Sequence, residues 1–179
     1  MNFFSQYIQE LNKFISNVNA SILESSAVLL RQTQQRNRKV IIIGNGGSAA
    51  IASHVSVDLV KTAGLRAINF NEADLITCFS NDYGYEFWLE KALEVYADGG
   101  DLLISISSSG QSRNIINATT KAKDMGLEII TFSGFSEQNP LRSMGLINFW
   151  VNSKKYNIVE MTHHVWLSAM VDYLSEMSE

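Results

Sequence analysis

Two short segments rich in glycine and serine carry the residues best suited to chemistry in this chain. Residues 44–48 read Gly-Asn-Gly-Gly-Ser, and residues 107–112 read Ser-Ser-Ser-Gly-Gln-Ser. Each follows an apolar run and precedes a helix-like stretch, so each lies where a buried parallel strand would turn into a helix. Helix starts favour anions, and serine hydroxyls supply further hydrogen-bond donors. Together the two segments predict a phosphate-binding cradle.

Glycine and serine are also ordinary turn and cap residues, so one such segment alone would be ambiguous. The second segment carries four hydroxyls in six residues, whereas a helix cap needs only one. Neither segment continues into Gly-Lys-Ser/Thr, and the first lacks the glycine spacing of dinucleotide-binding folds. The pattern favours phosphate binding and argues against a nucleoside triphosphatase.

The elements that must position these segments follow from the spacing of apolar residues. Short apolar runs predict strands at residues 40–43, 67–70, 102–106, 128–132 and 147–151. Helical patterns cover residues 48–62, 74–79, 85–96, 112–125 and 158–177. Alternating strands and helices predict an α/β fold, with a parallel sheet covered on both faces. The length of the chain indicates a single domain over residues 1–179.

The N-terminal segment is predicted to be helical. Residues 4–35 carry apolar side chains at helical spacing, which indicates one long helix or two in sequence. A helix this long ahead of the first strand has no obvious place within a compact sheet. We therefore expect residues 1–36 to pack their apolar stripe on another subunit of a homo-oligomer.

Composition bounds the class of partner. The net charge of -4 offers no general attraction to nucleic acid or to an anionic membrane. No apolar run reaches the roughly 18 residues of a membrane span, and the N-terminus lacks a signal-peptide pattern. The single Cys78 cannot form an internal disulfide. We expect a cytoplasmic protein with no direct nucleic-acid or membrane partner.

These motifs resemble the SIS (sugar isomerase) domain family, and within it the sedoheptulose-7-phosphate isomerase branch, also called phosphoheptose isomerases. The resemblance rests on residues 44–48 followed by His54, and on residues 80–84, 100–103 and 106–112. It implies a five-stranded parallel sheet in a flavodoxin-like three-layer sandwich, and a homotetramer built with the N-terminal helices. It also implies active sites at subunit contacts and a phosphosugar ligand.

The resemblance assigns binding roles by position. The residues that would form the phosphate cradle are Gly46, Gly47, Ser48, Ser107, Ser108, Ser109 and Ser112. Those that would line the sugar pocket are Asn45, Asn81 and Asp82.

The resemblance also implies how the proton moves. The isomerase branch uses a His and Glu pair to transfer a proton between adjacent sugar carbons, and in zinc-dependent members a Gln and a second His join them as ligands. His54 matches the first ligand, and Asp58 stands where the branch has Glu. Four residues apart on a helix, both side chains share a face, so a metal or a proton could lie between them. A solvated or intersubunit hydrogen-bonded pair is the alternative interpretation.

The last predicted helix departs from this pattern. In an ungapped match, the expected Gln and His become Val159 and Leu167. His163 lies on the same stripe, one turn from each, so we expect it to take over their role. With Asp58 it would relay the proton, and with His54 and Asp58 it would complete three zinc ligands. Because His54 and Asp58 alone fall short of the three protein ligands usual at a catalytic zinc site, we expect zinc to be weakly held or absent.

Glu160 and His164 form a second candidate pair, about 100° round the same helix. This pair could face the adjoining subunit or solvent, or it could be the catalytic pair itself. An unperturbed His titrates near ~6.5, which suits proton transfer between sugar carbons.

The function expected from these residues is that of an aldose–ketose isomerase. Its substrate would be sedoheptulose 7-phosphate or a related sugar phosphate, in heptose synthesis for bacterial surface polysaccharides such as lipopolysaccharide or capsule. A second class stays open, because the family also contains phosphosugar sensors and a tetrameric scaffold that binds the bacterial replication initiator. Such a protein would bind a phosphosugar through the serines without turnover. An isomerase of a different phosphosugar is the third interpretation.

Overall fold

Five parallel strands form the central sheet of the computed structural model, which describes residues 2–177. The strands are β1 (Val40–Ile43), β2 (Ala67–Asn69), β3 (Leu102–Ser107), β4 (Glu128–Gly134) and β5 (Ile147–Val151). They lie in the order β2-β1-β3-β4-β5, and every neighbouring pair is parallel. The predicted α/β class and its five strands are therefore confirmed.

The strand order places the predicted cradle at a switch point of the sheet. β1 lies between β2 and β3, so the chain winds first towards one edge of the sheet and then towards the other. Ile43 at the end of β1 pairs with Ser105 of β3. The carboxyl ends of β1 and β3 therefore meet, and open α/β sheets bind their ligands at such a point.

Helices connect the strands and flank the sheet. In the part of the chain that the structure describes, they are α1 (Phe3–Ser16), α2 (Ala20–Gln35), α3 (Gly47–Lys61), α4 (Ala73–Tyr83), α5 (Trp88–Tyr96), α6 (Arg113–Asp124) and α7 (Tyr156–Glu176). A short 3-10 helix covers Pro140–Ser143. None of the helices described combines the length and the apolar character that a membrane span requires.

Both faces of the sheet are buried, which gives the three layers. Ile42 and Ile104 point into a cluster formed with α2, α3 and α7. Their neighbours Ile41 and Leu103 point into the opposite cluster, formed with α5 and α6. Successive side chains of a strand alternate between faces, and a sheet covered on both faces needs apolar residues at every position. This is why the strands are continuous apolar runs in the sequence.

The N-terminal segment forms two helices that behave differently. Leu29 and Leu30 of α2 are buried in the core of their own chain, although Val28 of the same helix is 46% exposed. These two leucines thus pack within the chain. α1, in contrast, has no buried residue, and Phe4 is 76% exposed. Its last turn is tied to α7, because Trp166 Nε1 donates a hydrogen bond to the Ile15 carbonyl oxygen at 3.0 Å.

Candidate active site

Two helices begin at the carboxyl ends of β1 and β3, and neither has a side-chain cap. Gly46 precedes α3 and Ser112 precedes α6, and no side-chain acceptor satisfies the start of either helix from these positions. Both starts line the same cavity. Uncapped helix starts present N–H groups and the positive end of the dipole, so the local structure favours an anion there.

This cavity has a volume of about 250 Å³ and contains all the residues that the two glycine and serine segments were expected to contribute. They are Asn45, Gly46, Gly47, Ser48, Ser107, Ser108, Ser109 and Ser112. The structure thus brings the predicted cradle together, and its role in binding a ligand stays a prediction. Ile106 and Tyr156 also line the cavity and were not anticipated. Tyr156 follows the loop after β5, so it lies at the carboxyl ends of the strands, where the cavity is. That position in the sequence could have identified it.

The serine segment folds into a tight turn because of Gly110. This residue has φ +65°, in the left-handed region that glycine adopts without strain. Its N–H donates to the Ser107 carbonyl oxygen at 2.9 Å. A β-carbon at this position would overlap the side chain of Asn139, which packs behind the turn. Glycine is therefore required both by the turn and by the close approach of Asn139.

The serine hydroxyls are held close to one another. Ser48, Ser107 and Ser108 are nearly buried around the cavity, and Ser107 Oγ donates to Ser112 Oγ at 3.2 Å. A hydroxyl can rotate and can either donate or accept a hydrogen bond. The same hydroxyls can therefore turn towards a phosphate oxygen when a ligand enters.

Asn45 joins the two halves of the cradle. Asn45 and Asn114 exchange two amide hydrogen bonds, each 2.9 Å from Nδ2 to Oδ1. The Tyr85 hydroxyl donates to Asn45 Oδ1 at 3.2 Å. These bonds link the β1–α3 turn to α6, and they fix the separation between the two helix starts.

Glu160 of α7 brings a carboxylate into the cavity. Ser108 Oγ donates to Glu160 Oε1 at 3.4 Å, and glycine at position 47 leaves room for the carboxylate. Burial raises the pKa of Glu160, and the hydrogen bond from Ser108 opposes this only in part. A carboxyl group with a raised pKa is suited to accept and return a proton near neutral pH.

α7 turns a different face to the cavity from the one expected. Val159, His163 and Leu167 are 0%, 0% and 1% exposed and lie in the core. His163 Nε2 is 3.0 Å from the Ser133 carbonyl oxygen, and burial lowers the pKa of His163 to about 4. The expectation that His163 projects into the site is therefore wrong. The apolar residues on its stripe turn that side of the helix towards the sheet.

The stripe one residue further along carries the polar groups. Glu160 enters the cavity, and the His164 ring meets the His54 ring of α3 edge-on, with the centroids 4.8 Å apart. His54 Nε2 is 2.9 Å from Asp58 Oδ2. Burial lowers the pKa of His164, as does the neighbouring His54, while the charge of Asp58 opposes both. His54, Asp58 and His164 thus form a cluster one helical turn from Glu160.

The residues expected to hold zinc do not come together. His54 and Asp58 are paired, but His163 lies in the core. His164 lies beside this pair, yet between residues 2 and 177 no group of three or more His, Cys, Asp or Glu side chains is arranged so that it could hold a metal ion. Catalytic zinc sites usually have three protein ligands. The donor set within one chain therefore does not fit a catalytic zinc ion.

Asn81 and Asp82, expected in the sugar pocket, lie outside this cavity. Both are exposed at the end of α4, where Asn81 Nδ2 donates to Asp82 Oδ1 at 2.9 Å. α4 has no buried residue and packs on α5. Within one chain, this placement keeps the two side chains from lining the cavity.

Comparison with known proteins identifies the relatives of the chain. The phosphoheptose isomerase of Histophilus somni (strain 2336) is 36% identical over 130 residues, which are 69% of this chain and 67% of the relative. That of Helicobacter pylori (strain P12) is 37% identical over 134 residues, 70% of each chain. The structure of the phosphoheptose isomerase from Neisseria gonorrhoeae has a TM-score of 0.86 at 24% identity, covering 97% of this chain and 95% of that one. This last likeness concerns the fold.

The family model that matches is that of the SIS domain, over residues 3–134. The cradle lies within this segment, whereas Tyr156 and Glu160 of α7 lie beyond it. Because the match spans most of the chain and includes both glycine and serine turns, the chain belongs to the SIS domain family.

Proposed function

We propose that the chain is an aldose–ketose isomerase whose substrate is a phosphoheptose such as sedoheptulose 7-phosphate. The observation that carries the proposal is the position of Glu160, a partly buried carboxyl group in a cavity lined by uncapped helix starts and serine hydroxyls. The matched relatives are named phosphoheptose isomerases, and their name supports the choice of sugar and of heptose synthesis as the pathway.

Glu160 is the base in the proposed mechanism. The cradle holds the phosphate and thereby fixes the open-chain sugar beside the carboxylate. Glu160 removes the proton from the carbon next to the carbonyl group, and the electron pair forms a carbon–carbon double bond as the carbonyl oxygen takes up a proton. In the resulting enediol, Glu160 returns its proton to the former carbonyl carbon while the other hydroxyl loses its proton. The product is the isomeric sugar phosphate.

His164 is the second acid–base candidate. It lies four residues after Glu160 on the same face, so about 6 Å further along α7. With its pKa lowered by burial, His164 is neutral at pH 7 and can carry the proton between the two sugar oxygens. His54 contacts the His164 ring and is paired with Asp58, and neither residue takes part in carbon deprotonation in this mechanism.

The working form in this proposal is a cytoplasmic homo-oligomer, a tetramer as the family resemblance implies. α1 supports the assembly, because it has no buried residue and exposes Phe3, Phe4 and Ile8 by 70%, 76% and 53%. The exposed Asn81 and Asp82 would then be available to the cavity of a neighbouring subunit.

A proton NMR time course with sedoheptulose 7-phosphate in D2O tests the reaction directly. We expect aldose signals to appear and deuterium to enter at the carbon beside the carbonyl group. An unchanged spectrum together with saturable ligand binding would contradict an isomerase of this sugar and would favour a phosphosugar sensor or scaffold, or an isomerase of a different phosphosugar.

A further inference from the structure

A residue with an unfavourable backbone conformation lies beside the cavity. Phe135 follows β4 and has φ +57°. Among the non-glycine residues of the described chain, only Asn37 shares a positive φ, at 54°. Asparagine tolerates the left-handed region and often follows a helix end, as Asn37 does after α2. A bulky side chain such as that of Phe135 is disfavoured there.

The surrounding structure holds Phe135 in this conformation from several sides. Its N–H donates to the Ser153 carbonyl oxygen at 2.9 Å. The Asn139 amide donates to the carbonyl oxygens of Gly134 at 3.2 Å and Ser136 at 2.7 Å, one on either side of Phe135. Strained residues persist where the fold determines them in this way, and they concentrate at functional sites.

The conformation brings the ring of Phe135 against Tyr156. The two ring centroids are 4.8 Å apart, with an interplanar angle of 65°. Edge-to-face contact of this kind is a favourable arrangement of aromatic rings. Tyr156 lines the cavity although it is 58% exposed overall. Phe135 therefore supports a ring that would otherwise have few neighbours to orient it.

We propose that Tyr156 forms a wall of the cavity that contacts the carbon chain of the sugar, and that Phe135 is the positioning residue for this wall. The serines and the helix starts of the cradle supply the hydrogen-bond donors for the phosphate, so Tyr156 is left to contact the rest of the ligand. A phenol ring offers C–H groups an apolar face, and its hydroxyl can bond a sugar hydroxyl. This inference rests on the proposed function, in which the ligand is a sugar phosphate.

Substitution at Phe135 can remove the ring without straining the backbone. Phe135→Gly removes the ring and introduces a residue that adopts the left-handed region without strain. Asn37→Gly is the matched control, because it also introduces glycine at a residue with positive φ. Asn37 lies before β1, at the amino ends of the strands, whereas the cavity lies at their carboxyl ends. Tyr156→Ala removes the wall itself, and Phe135→Tyr restores a ring at the supporting position.

The experiment compares the Kd of sedoheptulose 7-phosphate with that of inorganic phosphate, by calorimetry and by competition. For Phe135→Gly and Tyr156→Ala, we expect the Kd of the sugar phosphate to rise about three- to tenfold, while that of phosphate changes less than about twofold. Asn37→Gly and Phe135→Tyr should bind both ligands as the wild type does. Thermal denaturation confirms that each variant is folded.

Two outcomes would overturn the inference while leaving the proposed function intact. Unchanged affinity of Phe135→Gly for the sugar phosphate would remove its positioning role. An equal loss of affinity for both ligands would mean that the ring supports the cradle as a whole rather than a sugar contact. If the wild-type protein binds phosphate but no sugar phosphate, the proposed function fails and this inference fails with it.

Discussion

The carboxylate of Glu160 occupies the space that a side chain on Gly47 would fill. The two residues lie on α7 and at the start of α3, and their contact places the proposed base against one of the two helix starts of the cradle. The requirement for glycine at position 47 thus comes from close approach. The position of the base can therefore be tested without changing Glu160 itself.

Gly47→Ala should displace Glu160 and lower kcat at least about tenfold, because misplacing a catalytic group by about 1 Å has large effects on rate. The variant should stay folded, since alanine is a favourable helix residue. Gly99→Ala is the control, because its β-carbon would lie 3.7 Å from the nearest atom, the Met125 carbonyl oxygen. Steady-state kinetics with thermal denaturation provide the measurement. Wild-type turnover by Gly47→Ala would contradict the assignment.

Glu160→Gln should lower kcat by about 10²- to 10⁴-fold, the usual contribution of a positioned base, and should leave sugar phosphate binding in place. In the wild type, the base must be deprotonated to act, so kcat/KM falls as the pH drops through the pKa of Glu160. Since burial raises that pKa, the acid limb should lie above the ~4.3 of an ordinary Glu. An acid limb at or below that value would argue against Glu160.

His163→Phe should retain turnover and change the pH dependence of stability. The folded pKa is about 4, below the ~6.5 of an unfolded His, so between these values the unfolded chain binds a proton that the folded chain does not. The free energy of unfolding therefore decreases as the pH is lowered, by roughly 2 kcal/mol from pH 7 to pH 5 for this group. Urea unfolding at both pH values should show that difference between wild type and variant. A variant without turnover would return His163 to the mechanism.

Phe4→Asp combined with Ile8→Asp should reduce the size of the assembly, because charges would replace the exposed apolar residues of α1. Light scattering after gel filtration measures the mass, and circular dichroism checks the fold. Leu146→Asp is the control, since Leu146 is an exposed apolar residue too, at 69%, but lies outside α1, just before β5. An oligomer of unchanged mass would show that α1 does not form the interface.

Protein purified without added metal should contain well below one zinc ion per subunit. The reason is that His54 and Asp58 have no third ligand from His163. Elemental analysis provides the measurement. A stoichiometric zinc content would mean that His164, which lies beside His54, or a residue of another subunit completes the site.

The sequence predicted the sheet well because strands buried on both faces leave a simple signature. The apolar runs at Val40–Ile43 and Ile147–Val151 have the predicted bounds, and the other strands differ only at their ends. The cradle could be predicted for the same reason, since the carboxyl ends of adjacent parallel strands must meet.

The face of α7 could not be predicted from an ungapped comparison. A shift of one residue rotates a helix by about 100°, so the comparison does not fix which stripe faces the cavity. The signal was present in the helix itself, where polar residues recur every fourth position, at Glu160, His164, Ser168 and Asp172. The neighbouring stripe carries the apolar residues Val159 and Leu167 on either side of His163, and these residues turn it towards the sheet.

The location of Asn81 and Asp82 was a different problem. A motif shared with a family indicates that residues serve a site, but it does not say whether the site belongs to the same chain. Their exposure on α4 is a property of the packing of α4 on α5, and local sequence contains little information about it.

The cradle lies on the segments around α3 and α6, whereas Glu160 arrives on α7, after the end of the family match. In the proposed mechanism, phosphate binding and proton transfer therefore depend on separate stretches of the gene. A few codon changes around position 160 would then silence the reaction and leave phosphate binding unaltered. Catalysts and sensors of phosphorylated sugars could thus diverge within one lineage without any change in the part of the protein that binds the phosphate.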